Sequence, residues 1–286
     1  MSESEPGHGG SEPLVLVGVD GSDDGLRAVA YAARAALAGG AGLWIVNVVG
    51  SRVPDGGLWE LVSAQEELRE LGEAKLAAAL EVAAAAGFPA ERVTTEILIG
   101  RSGEVLAQLS ERAELLVVGR RAISGLERMF AGSTSVWVAV HANCPVIVIS
   151  AASTPHRTGG LRTVAVAVST WPVHESALEW GAREAKLRQA HLRVVHVVPE
   201  TLGIEGAAFV AAATADLERQ LGPLRERHPE VSAEVEVLLG DPVDALVEAS
   251  RTVDLLILGV HRDRAALAGS IRGVMAHSHC PVGLIK

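Results

Sequence analysis

Apolar residues run along this chain in short blocks, each bounded by glycine, polar or charged positions. Residues 14–19 read LVLVGV, 43–49 LWIVNVV, 93–100 VTTEILIG, 114–119 ELLVVG and 145–150 PVIVIS. Blocks of this length, rich in Val, Ile and Leu and nearly continuous in apolar character, predict strands buried on both faces. Between them lie Ala- and Leu-rich stretches with helical spacing over 24–38, 58–86, 103–112 and 132–142. The stretch 58–86 reads as one long helix or as a helix broken near Gly72, and it closes at Gly87 and Pro89 as a helix stop should. Strict alternation of strand and helix predicts an α/β fold built on a doubly wound parallel sheet with helices on both faces.

The pattern is written twice. PLVLVGVDGS from Pro13 answers to RTVAVAVSTW from Arg162, and IVNVV from Ile45 to VVHVV from Val194. EILIGRSGEVL from Glu96 answers to EVLLGDPVDAL from Glu236, ELLVVG to DLLILG from Asp254, and HANCPVIVIS from His141 to HSHCPVGLIK from His277. The order is the same in both halves, so the chain is a tandem duplication. It divides into a flexible tail over 1–12, a first domain over 13–150, a Pro/Gly/Ser/Thr linker over 151–160 and a second domain over 161–286, each domain with a five-stranded sheet. The apolar last strands of the two units would be exposed sheet edges, and pairing them with each other removes both. A monomeric tandem and a homodimer are both compatible with this pattern.

Doubly wound sheets bind ligands beyond the strand C-termini, at the point where the winding reverses. The residues that follow strands one and four are Asp20, Gly21 and Ser22, and the loop that opens at Gly119. That loop reads GRRAISGLERMFAGSTS, and Gly132-Ser133-Thr134-Ser135 begins the next helix. A strand feeding a glycine-bearing loop and a helix start rich in hydroxyls suits phosphate. The bland alternative is a βα connection with turn glycines and a Ser cap, and for Asp20-Gly21 an ordinary turn pair.

Val-Asp-Gly-Ser at 19–22, the glycine loop ending in Gly132-Ser133 and the terminal His-x2-Cys-Pro-Val-Ile-Val-Ile together resemble the universal stress protein (UspA) family. The resemblance covers both units. It implies an adenine nucleotide alpha hydrolase-like fold, adenine-nucleotide binding or a regulatory role in stress survival, and pairing of domains through the last strand. The ATP-binding branch of that family carries Gly-x2-Gly-x9-Gly-[Ser/Thr], whose positions fall on Gly119, Ala122, Gly132 and Ser133. The spacing is intact but the second glycine is alanine, which costs ~1 kcal/mol if that position needs a left-handed backbone. The resemblance also places Asp20 beside the adenosine, the Val48 backbone against adenine, and Ser133, Thr134 and Ser135 at the phosphates. Arg120 and Arg121 depart from the family pattern with a sign that suits a phosphate chain. In the second unit Ser169 replaces the Asp, Arg262 stands at the second glycine, and six residues instead of nine precede Gly269. That site is therefore expected to be degenerate.

Composition narrows the choice further. The formal charge of −10 argues against nucleic acid or an anionic membrane as partner. No apolar run reaches the ~18 residues of a membrane span, and the acidic N-terminus is not a secretory signal, so a cytoplasmic location is expected. Cys144 and Cys280 are the two cysteines, and each precedes a proline beside only one or two His, which favours packed thiols over a metal site. P-loop, nucleophile-elbow and zinc-protease motifs are absent. The leading expectation is an ATP-binding first domain, with Mg²⁺ accompanying the nucleotide, in a nucleotide-responsive regulator that is not a fast enzyme. The alternatives are an interaction module with vacant pockets and a slow ATPase in which Asp20 polarises water or holds Mg²⁺.

Overall fold

A computed structural model describes residues 12–50, 58–120, 132–153, 162–168, 175–199, 206–260 and 269–286. The first repeat runs β1 (Leu14–Val19), α1 (Asp23–Gly39), β2 (Gly42–Val49), α2 (Leu58–Ala85), β3 (Val93–Ile99), α3 (Ser102–Leu109), β4 (Leu115–Gly119), α4 (Ser133–His141) and β5 (Val146–Ile149). The second runs β6 (Thr163–Val168), α5 (Glu175–Arg188), β7 (His191–Val198), α6 (Gly206–Arg227), β8 (Ala233–Leu239), α7 (Pro242–Ala249), β9 (Leu255–Gly259), α8 (Ser270–His277) and β10 (Val282–Ile285). α2 passes through Gly72 unbroken. A Cβ there would stand 3.0 Å from Ile97 and 3.1 Å from the Asn47 carboxamide oxygen, so this glycine lets the helix lie close on β2 and β3. Among the described residues no helix is long and apolar enough to cross a membrane.

The two five-stranded sheets are one sheet. Its order is β3-β2-β1-β4-β5-β10-β9-β6-β7-β8, parallel within each repeat. The seam is antiparallel, with Val148 opposite Val282, Ile147 opposite Gly283 and Val146 opposite Leu284. The apolar last strands thus cover each other, and the free edges are β3 and β8. On β7 and β8 the edge region carries charge, with Arg193 bridging Glu234 and Glu236, which blunts further strand addition.

Strand side chains alternate between two layers of core. Val15, Val17, Ile147 and Ile257 face α1, α2, α5 and α6, while Leu16, Leu116, Val148 and Leu256 face α3, α4, α7 and α8. Each layer is continuous across the seam. On the first face α1 and α5 also touch: the Arg188 guanidinium donates to the Tyr31 hydroxyl at 2.6 Å and pairs with Glu184 at 2.8 Å. Burial, partly offset by Arg188, pushes the Tyr31 hydroxyl up to about 12.

Candidate functional site

β1 and β4 are neighbours, and the helices after them leave to opposite faces of the sheet. Their C-terminal ends are therefore the switch point of the first repeat. Gly119, the last residue of β4, lies against the first turn of α1. A Cβ on it would stand 2.6 Å from the Asp24 carbonyl carbon and from the Gly25 nitrogen. Only glycine lets the two strand ends and the helix start meet so closely.

Asp20, Gly21 and Ser22 form the turn between β1 and α1. The Asp20 carboxylate accepts from the Ser22 amide at 2.9 Å and from its hydroxyl at 2.5 Å. Ser22 in turn caps α1, its Oγ accepting from the Gly25 amide at 3.1 Å. Gly21 has φ +84, a left-handed conformation that glycine adopts without cost. Asp20 and Gly21 are exposed and Ser22 half-buried. The turn is built from inside the sheet: Asn47 of β2, fully buried, donates through Nδ2 to the Val19 carbonyl at 2.7 Å and fixes the end of β1. His196 makes the matching contact to Val168 in the second repeat, with Nδ1 at 2.8 Å. The β1–β2 ladder stops at Val19–Asn47, so Val48 stands beyond the last rung with its backbone at the open end.

A basic residue that the loop patterns do not reveal also reaches this turn. Lys75 of α2 runs its stem across Gly21, with Cγ 3.1 Å and Cε 3.5 Å from where a Cβ would be. Among the described residues its ammonium has no hydrogen-bond or ion partner. The signal available in the sequence is one of two basic residues, with Arg69, in an acidic and Ala-rich helix, and the periodicity alone does not aim it at Asp20.

The sequence suggests Arg120 as a phosphate ligand, but its guanidinium is buried and donates through Nη1 to the carbonyls of Met275, at 3.3 Å, and Ala276. These carbonyls belong to the last turn of α8, where a cation is favoured and the C=O groups lack helical partners. The side chain therefore ties the first repeat to the second. Burial lowers the Arg120 pKa, and Asp24 opposes that shift. Asp24 sits in the first turn of α1, 3.0 Å from Arg27. Burial raises its carboxyl above the ordinary range against the pull of Arg27 and Arg120, and its Oδ2 is buried with no hydrogen-bond partner among the described residues.

Gly132 caps α4 with φ −60 and, as a glycine, gives the first amides of the helix no side-chain acceptor. Ser133 is exposed and Thr134 half-buried. Ser135 is buried and its hydroxyl donates to the Gly132 carbonyl at 2.9 Å, so it offers its amide but not its hydroxyl. Arg121 and Ala122 lie outside the described residues, as do Ser169 and Arg262 of the second repeat.

The cysteines behave as packed thiols. Burial pushes Cys144 and Cys280 each up to about 12. Among the described residues no cluster of His, Cys, Asp or Glu could hold a metal ion.

Comparison with known proteins places this geometry. The model of the universal stress protein family matches residues 14–150 and again 160–286. Two universal stress proteins of Mycobacterium tuberculosis are each 28% identical to the chain, one over 95% of it and 96% of the relative, the other over 97% and 95%. The crystal structure of a universal stress protein from Archaeoglobus fulgidus superposes with a TM-score of 0.72 at 18% identity, covering 96% of both chains, and shares the fold. The chain belongs to the universal stress protein family, as two tandem repeats.

Proposed function

We propose that the first repeat binds an adenine nucleotide, ATP with Mg²⁺, and that the protein is a nucleotide-responsive regulator in stress response. The observation that carries this reading is the Lys75 stem lying over Gly21 beside Asp20. It brings an uncommitted positive charge to the mouth of the switch point, where a phosphate chain gains from charge-assisted contacts. The Asp20 turn would take the ribose, the Val48 backbone the adenine, and the open amides of Ser133, Thr134 and Ser135 the phosphates. Mg²⁺ would be held largely by phosphate oxygens and water, with Asp20 a protein carboxylate at the same turn. Gly119 shapes the floor, and Arg121 and Ala122 belong to the same loop. In the second repeat the shorter loop and the missing Asp leave a degenerate site, so one nucleotide binds per chain.

Regulation has a route through Arg120. It follows Gly119 directly and is fastened to α8, so ordering the loop biases the seam between repeats. The test is titration of the full chain with ATP, with and without Mg²⁺. One site per chain is expected, weakened about tenfold by Lys75→Ala, the size of one charge-assisted contact. Hydrogen exchange should slow over 119–135 and over α8. Absence of saturable binding, or indifference to Lys75→Ala and Asp20→Ala together, sinks the proposal.

A second reading is an interaction module with a vacant cradle. The Asp20 turn favours it, because its hydrogen bonds to Ser22 are complete without a ligand. Mass spectrometry of the protein as purified separates the two, since a co-purified adenine nucleotide supports only the first.

A further inference from the structure

The repeats correspond residue by residue near the seam, and one pair of equivalent positions is filled unequally. α1 and α5 end alike: Ala41 donates to the Ala36 carbonyl at 2.9 Å and Ala190 to the Ala185 carbonyl at 2.8 Å. Counting back from these bonds, Gly39 corresponds to Arg188, Arg34 to Arg183 and Tyr31 to Trp180. Arg188 lies 5.3 Å from the Tyr31 ring centroid and closes that side of the seam. Tyr31 is 9% exposed there and Cys280 1%. On the opposite side Gly39 supplies no side chain, and nothing lies within 4 Å of where its Cβ would be. Trp180 and Cys144 are correspondingly half-buried. A cavity of about 280 Å³ opens beside them, walled by Cys144 and Pro145 of the first repeat and by Ser176, Trp180, Arg183 and Lys286 of the second.

We propose that this cavity binds a small planar organic anion, of which an aromatic carboxylate is the simplest form. Trp180 gives it a flat apolar wall, with its ring edge packed on Gly283 of β10, and Pro145 and Ile285 extend the apolar lining. Arg183 stands at the rim with no hydrogen-bond or ion partner among the described residues, a planar fork suited to a carboxylate. The Lys286 ammonium is taken by the Ala142 carbonyl, so Arg183 is the group assigned to the anion. Glu179 is the side-chain carboxylate in this lining, and it is committed to His228 at 2.7 Å and to Arg227 at 3.4 Å. The volume lies just below the ~300 Å³ at which pockets begin to take drug-sized ligands, so it admits a single ring and not a nucleoside triphosphate. The cavity sits at the start of β5 and the end of β10, and the first repeat's switch point is at the other end of the strands. Its occupancy is therefore independent of the nucleotide proposal.

The probe is benzoate, titrated into the full chain by calorimetry, with benzamidine and benzyl alcohol as cationic and neutral counterparts of the same ring. Benzoate is expected to saturate one site and to shift the indole N–H resonance that Trp180→Phe removes. Arg183→Gln, a change at an exposed position, should weaken it about tenfold, the size of one charge-assisted contact. Gly39→Arg, which restores the group that Arg188 supplies at Tyr31, should abolish binding and leave ATP titration unchanged. Tighter binding of benzamidine than of benzoate overturns the proposal. So does a benzoate affinity untouched by Arg183→Gln, or the absence of any shift at Trp180.

Discussion

Arg120 at the end of β4 donates to the Met275 carbonyl 3.3 Å away, in the last turn of α8. One residue beyond the glycine that shapes the first repeat's switch point, the chain is thus fastened to a helix end of the second repeat. Replacing Arg120 by Leu is expected to lower stability by about 2–3 kcal/mol, since two carbonyls lose a charged donor. Urea unfolding checks this, and nucleotide titration discriminates: a direct phosphate ligand would lose affinity while the unfolding midpoint stayed in place.

Gly119→Ala forces a methyl against the backbone of Asp24 and Gly25, neither of which is the end of a flexible side chain. A loss of about 1–3 kcal/mol is expected, typical of overpacking. Gly39→Ala is the control. It enters open space at the end of α1, with no left-handed φ to strain, and should be neutral or stabilising by up to ~1 kcal/mol. Similar unfolding midpoints for the two variants would remove the basis for calling Gly119 a close-approach glycine.

Asn47→Ala removes the buried donor to Val19 and leaves a carbonyl at the end of β1 unsatisfied, at a cost of about 1–3 kcal/mol. The Asp20 turn should loosen with it, seen as faster amide exchange at Gly21 and Ser22 than in the parent protein. Unchanged exchange there would mean that the turn holds itself through Asp20 and Ser22 alone.

Alkaline pH should weaken the fold. Cys144 and Cys280 are each held up to about 12 from an ordinary value of 9.0, and Tyr31 up to about 12 from 10.0. In each case the folded state keeps a proton that the unfolded chain releases. Between pH 9 and 12 these groups bind more protons in the folded state, so stability falls as pH rises through that window, and below it the three contribute no slope. Unfolding midpoints from pH 7 to 11 check the slope, which should flatten in a Cys280→Ala and Tyr31→Phe double variant.

Most of the fold was legible because its determinants are local. Buried parallel strands announce themselves as Val/Ile/Leu runs, and every predicted strand of the first repeat lies within one residue of its observed bounds. Gly72 was ambiguous because a glycine in a helical pattern signals equally a break and a close approach, and only the packing on Ile97 and Asn47 decides. The geometry of the candidate site was legible where it depends on strand ends, at Asp20 and Gly119. It was not legible where it depends on which distant element arrives. Lys75 reaches Gly21 from a helix more than fifty residues along, and Arg120 is taken by the last turn of α8.

The antiparallel junction of β5 and β10 joins two halves of a single chain, so no dilution can separate them, and their effective concentration is set by the connection between them. A symmetric pair of separate chains would have to carry every substitution in both members. Here each half mutates alone. Arg188 could appear opposite a Gly39, and Arg120 opposite a Val260, with no mirror-image copy to accommodate. Covalent linkage of this kind lets the two faces of one junction drift apart in sequence while the strand pairing that joins them stays the same.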